Sequence, residues 1–258
     1  MNIVIITQNE HRYLPKTLDK ILSETKRKYN YKGVVILPIS PFGKKLSFWE
    51  KAMEVKNIFG WQFFIKESLF FLKDKIKSKI FIGTSIKGVL KKYGISHLEW
   101  VKDVNSKKFV EWNKENDIDV LISLSCNQIL KKEILGTPKW GCLNLHGGKL
   151  PKYRGLMPSF WTLFNSEKEG AVTIFKMDEG IDSGEIILQK TYPIEKNDRL
   201  SSIIVKSKAL VADITIESLN LISEGKEELK SNPNSEMSYF GFPTREDIIE
   251  LKKRGKQF

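Results

Sequence analysis

The stretch Cys142-Leu143-Asn144-Leu145-His146 alternates polar and apolar residues, and on an extended strand that period places Cys142, Asn144 and His146 on one face. Taken alone, Asn-x-His at a strand end is well explained by ordinary satisfied hydrogen bonds. The next residues, Gly147-Gly148-Lys149-Leu150-Pro151-Lys152-Tyr153-Arg154-Gly155, predict a tight, glycine-opened turn at the carboxyl end of the strand, where open α/β sheets hold ligands. A second segment, Met177-Asp178-Glu179-Gly180-Ile181-Asp182-Ser183-Gly184, sets an acid between glycines in a loop joining two apolar strands. By itself, an Asx-type turn with Asp182 bonding its own backbone would account for it. Brought together, an amide, an imidazole and a carboxylate are the parts needed to stabilise a developing oxyanion and to move a proton.

The elements that must position these groups follow from apolar periodicity. Strands are expected at Asn2 to Ile6, Gly33 to Ile39, Lys79 to Ile82 and Asp119 to Leu124, with helices at Leu14 to Leu22, around Lys87 to Tyr93 and around Ser106 to Asn116. Continuous apolar strands alternating with helical patterns predict a parallel sheet covered on both faces. From Trp140 onward the pattern changes: Gly141 to His146, Val172 to Phe175 and Ile186 to Tyr192 are expected strands, and Ile203 to Ile222 an amphipathic helix. Thr244 before Arg245-Glu246-Asp247 is a helix-capping signal. The helical, aromatic-rich segment from Leu46 to Ile76, with Trp49, Phe59, Trp61, Phe63, Phe64, Phe70 and Phe71, is expected to pack in the core.

The 258 residues, 41% apolar and 29% charged, suit one large α/β domain and exclude wholesale disorder, collagen and coiled coil. Apolar runs such as Leu69 to Leu72 fall far short of the roughly 20 residues of a spanning helix, and the start has no signal-peptide pattern. Cys126 and Cys142 lack metal or disulfide-framework spacing. These features predict a cytoplasmic protein with no membrane partner and no metal. The net charge of +12 comes from 43 basic residues, of which only Arg12, Arg27, Arg154, Arg199, Arg245 and Arg254 are arginines. Scattered lysines lack the Arg forks typical of nucleic-acid surfaces, so a small phosphorylated ligand is favoured over tRNA.

Asn144-x-His146, Leu150-Pro151-x-Tyr153-Arg154-Gly155 and Asp182, 36 residues beyond His146, together resemble the 10-formyltetrahydrofolate-dependent formyltransferase superfamily, which includes the methionyl-tRNA, glycinamide ribonucleotide and nucleotide-amino-sugar enzymes. The resemblance covers about residues 119–193, is weaker over the first 118 and is absent after about 225. It implies a Rossmann-like α/β fold: a mostly parallel twisted sheet with helices on both faces. A catalytic domain would span 1–225, with halves at about 1–140 and 141–225, followed by a short C-terminal extension, 226–258.

By that resemblance Asn144, His146 and Asp182 are the catalytic trio and 10-formyltetrahydrofolate is the formyl donor. Cys126, Asn127, Gln128, Ile129 and Leu130 match the pterin-binding strand end, and Met177, Asp178, Glu179 and Ile181 form the opposite wall. The chemistry agrees: an amine attacking a formyl carbon creates an oxyanion, to which the Asn144 amide and a protonated His146 could donate, while Asp182 keeps the ring charged. Ser159, Ser183 and Cys142 are not expected to be nucleophiles. Two departures narrow the acceptor. Thr7-Gln8-Asn9-Glu10-His11-Arg12 replaces the glycine-containing loop of the glycinamide ribonucleotide enzymes. The 33 residues after Gly225 leave no room for the separate C-terminal domain of the methionyl-tRNA enzymes. Gly148 also stands where the family has a serine.

A nucleotide-linked amino sugar is therefore the expected acceptor, with Lys149, Lys152, Arg154 and His11 to meet its diphosphate. For Arg154, contacts to its own turn are an equal alternative. Tyr153 or Trp161 could stack on a base or sugar, though for Trp161 core packing is the stronger expectation. The alternatives are methionyl-tRNA or glycinamide ribonucleotide formylation, hydrolysis of the donor by the same trio, and a folate- or nucleic-acid-binding module. A homodimer is compatible with the sequence.

Overall fold

The computed structural model describes residues 1–39, 48–80 and 83–258. Eight strands are present among them: β1 (Asn2–Gln8), β2 (Asn30–Leu37), β3 (Val120–Leu124), β4 (Gly141–His146), β5 (Arg154–Gly155), β6 (Glu169–Lys176), β7 (Ile186–Pro193) and β8 (Tyr239–Phe240). The helices are α1 (Leu14–Thr25), α2 (Phe48–Phe59), α3 (Trp61–Ile80), α4 (Ile86–Tyr93), α5 (Lys107–Glu115), α6 (Lys132–Leu135), α7 (Pro158–Phe164), α8 (Leu200–Glu224) and α9 (Arg245–Lys253). The main sheet runs β2-β1-β3-β4-β6-β7, and β5 pairs with β8 in a separate small sheet. Strands β2, β1, β3 and β4 are parallel, whereas β6 and β7 are antiparallel additions.

Both sides of the sheet are covered, which is why consecutive positions of its strands are apolar. Along β1, Ile3 and Ile5 enter a layer formed with α1, α4 and α8, while Val4 and Ile6 enter the opposite layer with α5 and α6. The same split operates on β4, where Leu143 faces the first layer and Cys142 the second. A third apolar cluster joins α7, the start of α8 and α9 to Phe59 of α2. This is an α/β fold of mostly parallel strands with helices on both faces of the sheet.

The crossover direction changes at β1, from which the chain reaches β2 on one side and β3 on the other. Such a switch point opens a crevice at the carboxyl ends of the strands. There the Gln8 Nε2 at the end of β1 donates to the Ser125 carbonyl just beyond β3, at 2.7 Å. The long helix α8 closes with Gly225 at φ 63°, and α9 opens on Thr244, whose hydroxyl accepts from the Asp247 amide. No described helix is long and apolar enough to cross a membrane.

Two expectations are corrected here. Of the strand expected at Lys79 to Ile82, Lys79 and Ile80 instead end α3, and 81–82 lie outside the described residues. Ile80 continues the series Leu72, Ile76 at helical spacing, and a pair of residues carries no period of its own. The aromatic segment is also largely outside the core: Phe59 is buried, but Trp49 is 76% and Trp61 62% exposed, and Leu69, Phe70, Phe71 and Leu72 are exposed too. The sheet faces are already occupied by α1, α4, α8 and α5, so α2 and α3 pack at the margin. There Arg12 fastens α3, pairing with Glu67 at 3.2 Å and Asp74 at 3.3 Å and lying 4.6 Å from the Phe70 ring.

Candidate active site

Strand β4 carries Asn144 and His146 to the carboxyl end of the sheet, and its parallel pairing puts Ser123 of β3 beside Asn144. The Ser123 hydroxyl donates to Asn144 Oδ1 at 2.8 Å. With its oxygen so held, the amide turns its NH₂ away from β3. Ser123 was missed from the sequence, although a lone hydroxyl inside the apolar run Val120–Leu124 was the available signal.

The turn after β4 folds back tightly. The Thr173 hydroxyl on β6 donates to the Gly148 carbonyl at 2.7 Å, and Gln189 Nε2 on β7 to the Leu150 carbonyl at 3.0 Å. This brings Tyr153 over the imidazole, and His146 Nε2 donates to the Tyr153 carbonyl at 2.6 Å. A carbonyl can only accept, so Nε2 carries a proton. Gly148 makes the approach feasible, because a Cβ there would stand 2.7 Å from His146 Nε2 and 2.9 Å from the Tyr153 oxygen.

Asp182 reaches the other ring nitrogen from the β6–β7 loop, its Oδ2 3.5 Å from His146 Nδ1. The same oxygen accepts from the Gly155 amide at 2.8 Å. Asp182 adopts φ 50°, a left-handed conformation that the loop must hold in place. The side chains of His146 and Asp182 are 7% and 13% exposed, so this pair is screened little by water. The Asp-centred turn expected at Asp182 is instead made by Asp178, whose Oδ1 accepts from the Gly180 amide at 3.0 Å and the Ser183 hydroxyl at 2.5 Å.

The two expected pterin walls face each other. Lys132, just beyond 126–130, lies 3.8 Å from Glu179, and Cys126 and Met177 pack against the same apolar layer. Ile129 and Ile181 are 73% and 51% exposed, while Leu130 is buried. Gln128 braces its loop, accepting from the Val104 amide and donating to the Lys102 carbonyl, each at 2.9 Å. Asn127 Nδ2 donates to the Pro38 carbonyl at 2.9 Å. Burial pushes the Cys126 thiol up to about 11 and the Cys142 thiol up to about 12, so both stay protonated and neither is an activated nucleophile.

The expected phosphate-binding side chains are not assembled together. Arg154 is buried, and its guanidinium is turned to the Asn232 carbonyl and side-chain oxygen, at 2.9 and 3.0 Å, and to Asn234 Oδ1, at 2.7 Å. A fork enclosed in this way does not present itself to a diphosphate. Lys149 pairs with Glu169 on β6, and Lys152 is exposed. His11 lines a cavity of about 320 Å³ between the loop after β1, α3 and the start of α8, and its buried Nδ1 has no partner among the described residues. Tyr153 and Trp161 are core residues, each stacked on Phe240 of β8. Among the described residues no cluster of His, Cys, Asp or Glu could hold a metal ion.

Comparison with known proteins adds an independent line. A family model described as formyl transferase matches residues 91–218. The chain is 38% identical over 180 residues to a methionyl-tRNA formyltransferase of Kosmotoga olearia, covering 70% of this chain and 58% of that one; the chain thus spans little more than half of that relative. Among solved structures, a sugar N-formyltransferase from Shewanella superimposes with a TM-score of 0.62 at 18% identity, over 97% of this chain and 86% of that one. An N-formyltransferase from Helicobacter canadensis, in complex with folinic acid and dTDP-3-aminofucose, gives 0.57 at 20% identity, over 93% and 71%. The matched family segment contains the strand that carries Asn144 and His146 and the loop that carries Asp182, and with the identity to a methionyl-tRNA formyltransferase it points to one group: the chain belongs to the formyltransferase superfamily.

Proposed function

We propose that this protein transfers a formyl group from 10-formyltetrahydrofolate to a primary amine, with Asn144, His146 and Asp182 as the catalytic residues. The observation that carries this reading is the imidazole of His146 held from both sides, by Asp182 at Nδ1 and by the Tyr153 carbonyl at Nε2, beside an Asn144 amide whose oxygen is already taken. In this geometry the Asn144 NH₂ supplies the directed hydrogen bond to the reacting oxygen, with the His146 ring fixed beside it. Asp182, reaching the ring edge, can pass a proton from the attacking amine to the folate nitrogen, directly or through water, as the bond from that nitrogen to the formyl carbon breaks.

Members of the superfamily draw their formyl group from 10-formyltetrahydrofolate, which supplies the carbon under attack and a nitrogen leaving group. The walls at 126–130 and 177–181 fit that donor. They combine a strand end, whose main-chain groups suit a flat polar ring, with the exposed apolar side chains of Ile129 and Ile181.

For the acceptor we favour a nucleotide-linked amino sugar. The residues after α8 fold back onto both halves of the chain before them, β8 against β5 and Phe242 against Phe59 of α2, an arrangement suited to an acceptor small enough to enter beside Asn144. The Helicobacter relative of similar fold is held with such a sugar. The second reading is methionyl-tRNA, favoured by the 38% identity to a methionyl-tRNA formyltransferase. A side-by-side assay with nucleotide amino sugars, methionyl-tRNA and glycinamide ribonucleotide, following release of tetrahydrofolate, tests both. Turnover of an amino sugar with weak salt dependence is expected. Rapid turnover of methionyl-tRNA with none on any amino sugar reverses the ranking, and no turnover of any amine overturns the reaction itself.

A further inference from the structure

We infer that Asn232, in the segment after α8, is a positioning residue that sets the Asp182 carboxylate against His146. The inference rests on the reading of Asp182 as the carboxylate of the site. Asn232 lies beyond the segment matched by the family model, 91–218, and 50 residues from Asp182 in the chain. It is 8% exposed. Its Nδ2 donates to the carbonyls of Asp182 and Gly184, each at 2.9 Å, so one amide clamps both sides of the loop apex. That is the point where the backbone must hold Asp182 at φ 50°, a conformation that favours glycine.

The clamp is itself anchored. Arg154 donates to the carbonyl and side-chain oxygens of Asn232, which fixes the amide with its NH₂ toward the loop. The chain at 230 is tied down by paired main-chain bonds between Ile186 and Lys230, at 2.9 and 2.8 Å. Three successive residues of one short segment therefore each control a corner of the site. Tyr153 receives His146 Nε2, Arg154 holds Asn232, and the Gly155 amide holds Asp182 Oδ2. The burial of Arg154, unsuited to ligand binding, is explained by this task.

The test reads the imidazole, independently of any acceptor. Among the described residues, the charged side chain at the His146 ring is Asp182; β5 presents the Tyr153 carbonyl, with the Arg154 guanidinium turned to Asn232 and Asn234, and Lys149 is turned to Glu169. The ¹H–¹⁵N NMR spectrum of ¹⁵N-histidine-labelled full chain, taken at one pH, reads the two ring nitrogens of His146, with His97 as internal control. Asp182→Asn should move the His146 Nδ1 signal, and Asn232→Ala should move it in the same direction. Asn232→Asp keeps the volume and an acceptor for Arg154 while removing both donors, and should do the same. In both Asn232 variants kcat should fall, by up to about 100-fold, with the KM for the donor held within about twofold. The inference is overturned if both folded Asn232 variants leave the His146 Nδ1 signal and kcat as in the wild type while Asp182→Asn moves the signal. If Asp182→Asn leaves the His146 signal unmoved, the pair assumed for the site is absent, and the inference fails with it.

Discussion

Ser123 and Asn144 meet across β3 and β4 through a hydroxyl-to-amide-oxygen bond of 2.8 Å, and that bond decides which end of the amide faces the reaction. Removing it leaves Asn144 free to turn over. Ser123→Ala is expected to cost about 1 kcal/mol of stability and to lower kcat by about fivefold, the rate equivalent of 1 kcal/mol. Denaturant titration beside steady-state kinetics checks this, and an unchanged kcat would show that the amide is oriented by something else.

Replacement of Asn144, His146 or Asp182 by alanine should each reduce formyl transfer at least about 100-fold, since removal of one preorganised donor of this kind costs about 2.7–4 kcal/mol of barrier. Far-UV circular dichroism should show the fold retained. Near wild-type turnover by His146→Ala with any acceptor is incompatible with the mechanism.

Gly148→Ala probes the approach of Tyr153 to His146. The added methyl would sit 2.7 Å from Nε2 and 2.9 Å from the Tyr153 oxygen, and neither the ring nor the backbone can yield without breaking their bond. Overpacking of this kind costs about 1–3 kcal/mol. Activity should fall to the level of His146→Ala while the protein still folds; wild-type activity would show that the contact is dispensable.

Alkali should weaken the fold in a defined window. Burial raises Tyr31 to about 12, Cys126 to about 11 and Cys142 to about 12, above their ordinary values of 10.0, 9.0 and 9.0. For acids raised in the folded state, the native form holds its protons longer than the unfolded form. Their contribution to stability is whole below about pH 9 and is lost as pH climbs through the folded values toward 12. Urea midpoints at pH 8, 10 and 11 should fall in that order. At pH 8 neither thiol should react with iodoacetamide until the protein is unfolded; prompt alkylation of Cys142 would contradict its burial.

The residues of the candidate site were legible in the sequence because they lie in short segments. Asn144 and His146 share a strand face, the glycines beside them announce a turn, and Asp182 sits in one loop between two apolar strands. The helix cap at Thr244 and the strands expected at Asn2 to Ile6 and Gly141 to His146 are local signals of the same kind; the first runs on to Gln8. What escaped depends on distance along the chain. Nothing near Asn232 points to a loop 50 residues away, and the sequence of Arg154 does not say whether its fork faces solvent or an asparagine. The aromatic run of α2 and α3 has the composition of a core. Whether it becomes one depends on which helices reach the sheet first, and a local pattern does not contain that competition.

The pairing of β5 with β8 also fixes when the site can exist. The strands β1, β3 and β4 are made before that partner, and the parallel sheet can assemble around them first. Beyond their contacts to His146 and Asp182, Tyr153, Arg154 and Gly155 are braced by partners between 232 and 240. A ribosome adding about 5–20 residues per second therefore completes α8 between about 0.4 s and about 3 s before it delivers those partners. During that interval the nascent chain has its imidazole and its carboxylate but lacks part of the frame that holds them together, which residues 232–240 complete.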